Sequence, residues 1–294
     1  MISKYRKYYL TAALAFSILT PATLPAAETE NNKPETSIIY AAKYKGAQEI
    51  QNCISAGANI NERSQNGRTA LMEAAVKEDS ESVALLLSKG ADVKIKTAAG
   101  ETVLMLSVFK GNMDIIKMLV EKGADINAKD NDNETALINS INYRENIHVI
   151  EYLLEKGADI DARDNFGRTA LAIAAAEGVN GIVKLLIEKG ADINSRDNKG
   201  KTPLMLAAEN EKQETVLLLL EKASPNAINA ADNNGKTAVM YAIENNLTGA
   251  VKLLIAGKAD LKASDNNGQT VKQYAQTRRK NDDIINMLKA AGIE

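Results

Sequence analysis

The chain has 294 residues, of which 45% are hydrophobic and 25% charged, so it can bury a large core and has the charge content of an ordinary soluble protein. Its formal net charge of −2 argues against a general nucleic-acid binder, because such proteins normally show a strong basic excess. Only 4% of the residues are aromatic and Trp is absent, whereas Ala, Leu, Lys, Glu and the turn-forming Asn, Asp and Gly are abundant. That balance favours helices joined by tight turns.

The N-terminal segment, residues 1 to 27, has the layout of a secretory signal peptide. Three basic side chains at positions 4, 6 and 7 precede an uncharged stretch, and cleavage is expected after Ala26 or Ala27. The rival interpretation is an uncleaved membrane anchor, but the apolar run from Leu10 to Leu19 is short for a bilayer span. Cleavage would remove three basic and no acidic side chains and move the formal charge from −2 to −5. We therefore expect a mildly acidic mature protein that is periplasmic or secreted, with no stable membrane insertion.

A polar linker at about residues 28 to 35 leads into a repeat that fills residues 36 to 294. The marker of the repeat is a Thr that recurs every 33 to 35 residues after a turn. This spacing predicts eight units starting near residues 36, 69, 102, 135, 169, 202, 237 and 270. The last unit carries polar Lys272, Gln273 and Gln276 where other units are apolar, as expected of a solvent-facing end cap.

The second unit shows what one repeat builds. Gly67 ends a turn, and Thr69 is placed to cap a first helix through its hydroxyl. Val83, Leu86 and Leu87 then form an i, i+3, i+4 stripe that predicts a second helix. Each helix pair exposes two apolar faces and must stack on its neighbours, which predicts an all-α solenoid.

These residues resemble the ankyrin repeat. Thr202-Pro203-Leu204 matches the start of that family's TPLH signature, and KGAD recurs at 89 to 92, 122 to 125, 156 to 159 and 189 to 192. Turns of the form DNxG recur at 164 to 167, 197 to 200, 232 to 235 and 265 to 268. The resemblance covers about residues 36 to 294. It implies helix-turn-helix units joined by β-hairpin-like turns, and a concave face of turn tips and first helices that holds a protein partner.

The chain departs from the family pattern in two ways. The position of the family's His is occupied by Met72, Met105, Ile138, Ala172, Met205 and Met240. We interpret the Met residues as core filling, since one thioether per repeat is too widely spaced for the alternative, a Cu(I) site. One extra residue near 142 to 145 and two around 223 to 225 should bend or widen the stack locally.

The residues that support catalysis are few. Cys53 takes a place that Leu occupies in later units, so we expect it to be buried, and His148 is expected to be an exposed bystander. Gly-Lys-Thr at 200 to 202 and 235 to 237 lacks the first Gly of a phosphate loop. Residues 130 to 134 start like a calcium loop but lack its Gly and closing Glu. The sequence predicts no enzyme, no cofactor and no metal site.

A row of basic residues precedes the turns of five successive units, and we name it the basic ladder: Arg63, Lys96, Lys129, Arg163 and Arg196. The ladder is a candidate site for an acidic partner. The alternative is that Asp130, Asp164 and Asp197, each next to a ladder residue, neutralise the row.

The ankyrin resemblance adds five residues to the candidate partner-binding site, because aromatic and Arg side chains on a rigid surface are typical anchors: Phe109, Tyr143, Phe166, Arg168 and Tyr241. The principal hypothesis is a monomeric, non-catalytic scaffold of the bacterial envelope that binds a protein and not a nucleic acid. A secreted effector that binds a host protein uses the same signal and scaffold, and stays open as an alternative. A metal-binding or enzymatic protein would need a site that the sequence does not show.

Overall fold

The computed structural model of the chain describes residues 37–143, 146–222, 225–277 and 281–293. In these ranges the chain forms eight helix pairs and one short extra helix, and its only β structure is three isolated antiparallel bridges. The predicted all-α repeat solenoid is confirmed. The predicted signal peptide, residues 1 to 27, and linker, residues 28 to 35, lie outside the described residues.

The helices alternate along the chain between two rows. The first helices are α1 (Ile38–Tyr44), α3 (Ala70–Val76), α5 (Val103–Lys110), α7 (Ala136–Tyr143), α9 (Ala170–Glu177), α11 (Pro203–Glu209), α14 (Ala238–Glu244) and α16 (Val271–Gln276). The second helices are α2 (Ala47–Ser55), α4 (Ser80–Ser88), α6 (Met113–Glu121), α8 (Ile147–Glu155), α10 (Asn180–Glu188), α12 (Gln213–Lys222), α15 (Thr248–Ala256) and α17 (Asp282–Ala290). The short α13 (Pro225–Ile228) begins at the last residue of the insertion predicted around residues 223 to 225.

The recurring Thr fixes where most first helices begin. Its hydroxyl accepts a hydrogen bond at 3.3 Å from the amide three residues later in six units: at Thr69, Thr102, Thr135, Thr169, Thr202 and Thr270. In the first unit the cap is Ser37, so α1 begins one residue later than the spacing from Thr36 predicts. In the seventh unit the Thr237 hydroxyl is buried without a partner among the described residues, because the Met240 amide donates to the Thr237 carbonyl instead.

The core lies between consecutive helix pairs. Each first helix packs on the next one, from α1 through α3, α5, α7, α9, α11 and α14 to α16. The fourth unit shows the two apolar faces that the sequence predicts. Its Ala136, Val149 and Leu153 join the core of the preceding units, while Leu137 and Ile150 join the core of the following ones. Stability therefore depends on contacts between neighbours.

Five of the seven hairpins between units are closed by an Asp at their start, and Ser64 and Thr97 take this place in the first two. Asp164 shows the pattern: its amide donates to the Arg168 carbonyl at 3.1 Å, and its Oδ1 accepts from the amides of Phe166 and Arg168 at 2.8 Å. Gly167 then adopts φ +75°, a left-handed conformation that L side chains rarely take. The hairpins thus position the side chains that precede each first helix.

A column of Asn residues joins successive hairpins, and we name it the asparagine column: Asn131, Asn165, Asn198, Asn233 and Asn266. Each side-chain amide donates at 2.9 to 3.1 Å to a carbonyl of the preceding hairpin. Each backbone amide also donates to that hairpin, at 2.9 to 3.0 Å. The column holds the hairpin tips at a fixed spacing.

Candidate protein-binding face

The structure places all five residues of the basic ladder at exposed positions along the hairpins. Four of them donate to backbone carbonyls of the next unit. Arg63 Nη2 donates to the Lys96 carbonyl at 2.9 Å, and Lys96 Nζ to the Lys129 carbonyl at 2.7 Å. Arg163 Nη1 donates to the Arg196 carbonyl, and Arg196 Nη2 donates to the Ala231 carbonyl. The ladder therefore links units, a role that the sequence did not predict.

The Asp residues beside the ladder do not neutralise it through direct contact. Among the described residues, no ion pair within 4.0 Å joins Asp130, Asp164 or Asp197 to a ladder side chain. Asp130 and Asp197 accept hydrogen bonds from the amides of their own hairpins, as Asp164 does. Asp164 also pairs with Arg168 Nη2 at 2.6 Å. The positive charge of the ladder faces solvent.

Two of the predicted aromatic anchors are exposed. Phe166 on the hairpin between the fourth and fifth units is 49% exposed, and Phe109 near the end of α5 is 37% exposed. A cation lies over each ring, because the Arg168 guanidinium is 5.0 Å from the Phe166 centroid and Lys110 Nζ is 5.6 Å from the Phe109 centroid. Tyr143 ends α7, and its side chain lies outside the described residues.

Tyr241 corrects the sequence prediction, since its side chain is only 4% exposed and cannot act as an accessible anchor. Its hydroxyl donates to Asp232 Oδ2 at 2.8 Å. Burial and the Asp232 carboxylate raise its pKa far above the ordinary value. The first-helix spacing predicted the side of the helix but not the neighbouring hairpin that covers the ring.

Tyr241 belongs to a column of alternating cations and rings that the sequence analysis missed. Lys201 Nζ lies 4.9 Å from the Tyr241 centroid, and Lys236 Nζ lies between the rings of Tyr241 and Tyr274, at 4.3 and 5.1 Å. Lys201 and Lys236 also pair with Glu209 and Glu244 on the first helices, at 2.5 and 2.6 Å. A sequence pattern could have revealed this column. Lys201 and Lys236 directly precede the recurring Thr of two successive units, and Tyr241 and Tyr274 each lie four residues after the recurring Thr of the next unit.

The hairpin between the third and fourth units is acidic and contains a titratable group near neutrality. Burial is the largest cause that raises the pKa of Glu134 to about 7. The neighbouring carboxylates of Asp130 and Asp164 raise it further, and the Arg168 guanidinium partly opposes them. Burial also raises the pKa of Asp130. The charge of this hairpin therefore changes between mildly acidic and neutral pH.

The residues considered above for catalysis or metal binding lie either in the core or exposed on a helix. Cys53 is buried, as predicted, and burial raises the pKa of its thiol. The four Met residues of the core positions are buried, which confirms their packing role. His148 is exposed on α8, with Nδ1 3.4 Å from Glu151. Along the described residues, no helix combines the length and apolar character that crossing a bilayer requires.

Comparison with known proteins identifies the family. A profile of ankyrin repeats in three copies matches residues 14–97, 90–164, 144–229 and 224–294. The first match starts within the predicted signal peptide, ahead of the first described helix at Ile38. The matches cover most of the chain, so it belongs to the ankyrin-repeat family. A comparison with curated proteins gave no match. Ankyrin repeats generally mediate protein–protein interaction, and proteins built from them are typically non-catalytic scaffolds.

Proposed function

We propose that the chain is a non-catalytic scaffold, exported to the bacterial envelope, that holds a protein partner on the hairpin face, defined here as the exposed side chains of the hairpins and the first helices. The observation that carries the proposal is the fixed presentation of exposed Arg and Phe side chains on this face. Arg163 and Arg196 are anchored to carbonyls of the next unit, and Arg168 holds the exposed Phe166.

Anchoring matters because binding must repay the conformational entropy of every side chain that it immobilises. An Arg already bonded to backbone has lost part of that freedom on folding. The asparagine column also fixes the spacing between hairpins, so several contacts can form together without a loop rearranging. Rigid complementarity of this kind is the binding mechanism that we infer.

The test is affinity capture from an envelope extract with the full chain as bait, followed by identification of the bound protein. Two variants accompany the wild type. The first replaces Phe109 and Phe166 by Ala on the hairpin face, and the second reverses the charges of Lys184 and Glu188 on α10. A partner retained by the α10 variant and lost from the Phe variant supports the proposal. Loss from the α10 variant alone would show that the second helices form the binding face. If the full chain captures no specific protein, the scaffold function is contradicted.

The location is tested separately, because export rests on the N-terminal sequence alone. The basic start, the uncharged run and the Ala-rich end of residues 1 to 27 support cleavage after Ala26 or Ala27. We expect the periplasmic fraction to contain a chain whose intact mass lacks these residues. Recovery mainly from the medium would favour the secreted effector, and a membrane-bound chain that retains Met1 would contradict export by cleavage.

A further inference from the structure

The hairpin tips differ in chemistry from unit to unit, although their backbones repeat. The tip residue in the position before the hairpin Gly or its equivalent is, in successive hairpins, Asn66, Ala99, Asp132, Phe166, Lys199, Asn234 and Asn267. Within this row, Phe166 is the one large apolar side chain, and it stands between an acidic and a basic tip. The middle of the hairpin face is therefore chemically distinct from its two ends.

Phe166 is presented on a rigid support. Its carbonyl accepts from the Asn198 amide at 2.9 Å, which ties its backbone to the next hairpin. The Arg168 guanidinium that lies over its ring is itself held by Asp164, with Nε and Nη2 at 2.8 and 2.6 Å from Oδ2. An exposed ring that is fixed in this way offers apolar contact at low entropic cost.

Three further basic side chains belong to the hairpin that carries this ring and to the next hairpin, to which its backbone is bonded. Arg163, Arg196 and Lys199 are all exposed. The bonds that hold the two Arg residues use Nη1 of Arg163 and Nη2 of Arg196. A guanidinium has five N–H donors, so both retain donors for a ligand. The nearby acids compensate this charge only in part, because Asp164 is paired with Arg168 and Asp197 contributes a single negative charge against the three basic side chains.

The surrounding hairpins limit what can occupy this surface. The preceding hairpin carries Asp130, Asp132 and Glu134 against the single Lys129, so its net charge is negative and it would repel an anion that extends toward it. In the following hairpin Asp232 is buried and Lys236 is paired with Glu244. In this part of the face the excess of exposed positive charge is thus limited to the two hairpins between these neighbours, which suits a short acidic segment better than a long polyanion such as a nucleic acid.

We propose that Arg163, Phe166, Arg196 and Lys199, which we name the tip patch, bind a short acidic segment of a protein partner whose apolar side chain packs on Phe166. The guanidinium forks suit carboxylates, and the flat ring suits an apolar or aromatic side chain between them. This inference rests on the proposed scaffold function and specifies the chemistry of the partner. The net negative hairpin at 129 to 134 disfavours continued negative charge on that side and so limits the length of the acidic part of the bound segment.

The probe is a short fluorescein-labelled peptide of Asp, Glu and Ser with one central Phe, titrated against the full chain by fluorescence anisotropy. Three further probes define specificity: the same peptide with Ser in place of Phe, a peptide with Lys in place of its acids, and a single-stranded oligothymidylate. We expect the acidic Phe peptide to bind best, to lose affinity when its Phe is removed, and to weaken with added salt.

Two substitutions in the tip patch are compared with matched substitutions elsewhere. Lys199→Glu and Phe166→Ala should each weaken binding of the acidic Phe peptide on the order of tenfold, as expected for loss of one interface anchor. Lys252→Glu makes the same charge reversal, and Leu253→Ala a comparable apolar truncation, at exposed positions of a second helix, and both should leave affinity unchanged. A circular dichroism melt of each variant confirms that it is folded.

Several results would overturn the inference. These are equal binding of the acidic and basic peptides, preferred binding of the oligothymidylate, no binding of the acidic Phe peptide, or affinity that the patch substitutions leave unchanged. The scaffold function fails differently, when the full chain captures no specific protein. A captured partner that binds the Lys199→Glu and Phe166→Ala variants as well as the wild type would refute the tip patch and leave the scaffold standing.

Discussion

Folding places Glu134 where its ionised carboxylate is unfavourable. Burial and the carboxylates of Asp130 and Asp164 raise its pKa from an ordinary value of 4.5 to about 7. The folded state therefore binds this proton more tightly than the unfolded state does. Below about pH 4.5 the side chain is protonated in both states, and its ionisation destabilises the fold progressively as pH rises to about 7.

We predict that Glu134→Gln stabilises the protein near pH 8 by roughly 1 to 2 kcal/mol, less than the full pKa shift would give because the side chain is only partly buried. Near pH 4.5 the variant and the wild type should have similar free energies of unfolding. Urea unfolding at both pH values measures the difference. Some pH dependence will persist through Asp130, whose pKa is also raised. Glu188→Gln, at an exposed position of α10, is the control, and equal effects of the two substitutions would contradict the prediction.

The ladder residues differ in whether their side chains form hydrogen bonds, which distinguishes the members that link units from Lys129. Arg163 Nη1 donates to the carbonyls of Gly167 and Arg196, whereas the Lys129 ammonium has no hydrogen bond within the described residues. We predict that Arg163→Ala lowers the free energy of unfolding by about 1 kcal/mol and that Lys129→Ala changes it by less than about 0.5 kcal/mol. Urea unfolding at fixed pH tests both, and a larger loss from Lys129→Ala would show that these bonds do not stabilise the stack.

The sequence patterns predicted which side of its unit a residue lies on better than they predicted which neighbours cover it. Exposure of Phe109 and Phe166 followed from their positions in the turn and the first helix. Tyr241 was placed wrongly, because Asp232 and the two flanking Lys residues cover its ring through contacts between different hairpins and helices. Periodicity within a unit reports which way a side chain faces. It does not report which neighbouring unit reaches over it.

At the scale of elements, a hairpin position can require Gly for two reasons: its left-handed backbone, and the lack of room for a side chain. Two positions separate these reasons. Gly235 and Gly268 have nearly the same backbone, with φ of +80° and +77°. A Cβ on Gly235 would lie 2.6 Å from Asn266 Oδ1 and 2.8 Å from its backbone nitrogen, while a Cβ on Gly268 would meet no atom of the described residues within 4 Å. Only the first position is crowded by the asparagine column.

We predict that Gly268→Ala costs about 1 to 2 kcal/mol, the strain of a left-handed Ala. Gly235→Ala should cost about 1 to 3 kcal/mol more, because the added methyl also pushes Asn266 out of the column. The difference between their free energies of unfolding in urea isolates the close approach of the two hairpins. Equal costs would mean that the column yields without loss.

The helices themselves were largely predictable, whereas the links between hairpins were not. The recurring Thr and the apolar stripes mark helix starts and buried faces locally, and the all-helical repeat architecture follows from them. Ser37 shows the limit, since a neighbouring hydroxyl can replace the expected Thr as cap. The asparagine column joins residues 33 to 35 positions apart, so the DNxG motif alone showed a turn but not its partner.

At the scale of the molecule, each unit packs its helices mainly against those of its neighbours in the chain, which makes the stack divisible at unit boundaries. Deleting Thr169–Lys201 joins Arg168 to Thr202. The junction keeps a hairpin, a helix cap and a basic residue before the Thr, and α7 can then pack on α11 as it packs on α9. Deleting only Thr169–Gly178 removes α9 and leaves α10 without its helix partner.

We predict that the whole-unit deletion still unfolds in one cooperative transition, with a Tm lowered by about 10 °C or less, because one neighbour contact is lost and no apolar face is left uncovered. The half-unit deletion should lower the Tm much further or abolish the transition. Ile182 and Leu186 are fully buried in the intact chain, and the deletion removes the helix that covers them. Circular dichroism melts of both deletions measure this. Equal destabilisation would contradict the division of the chain into stacked units, because it would mean that stability does not depend on keeping a helix pair intact.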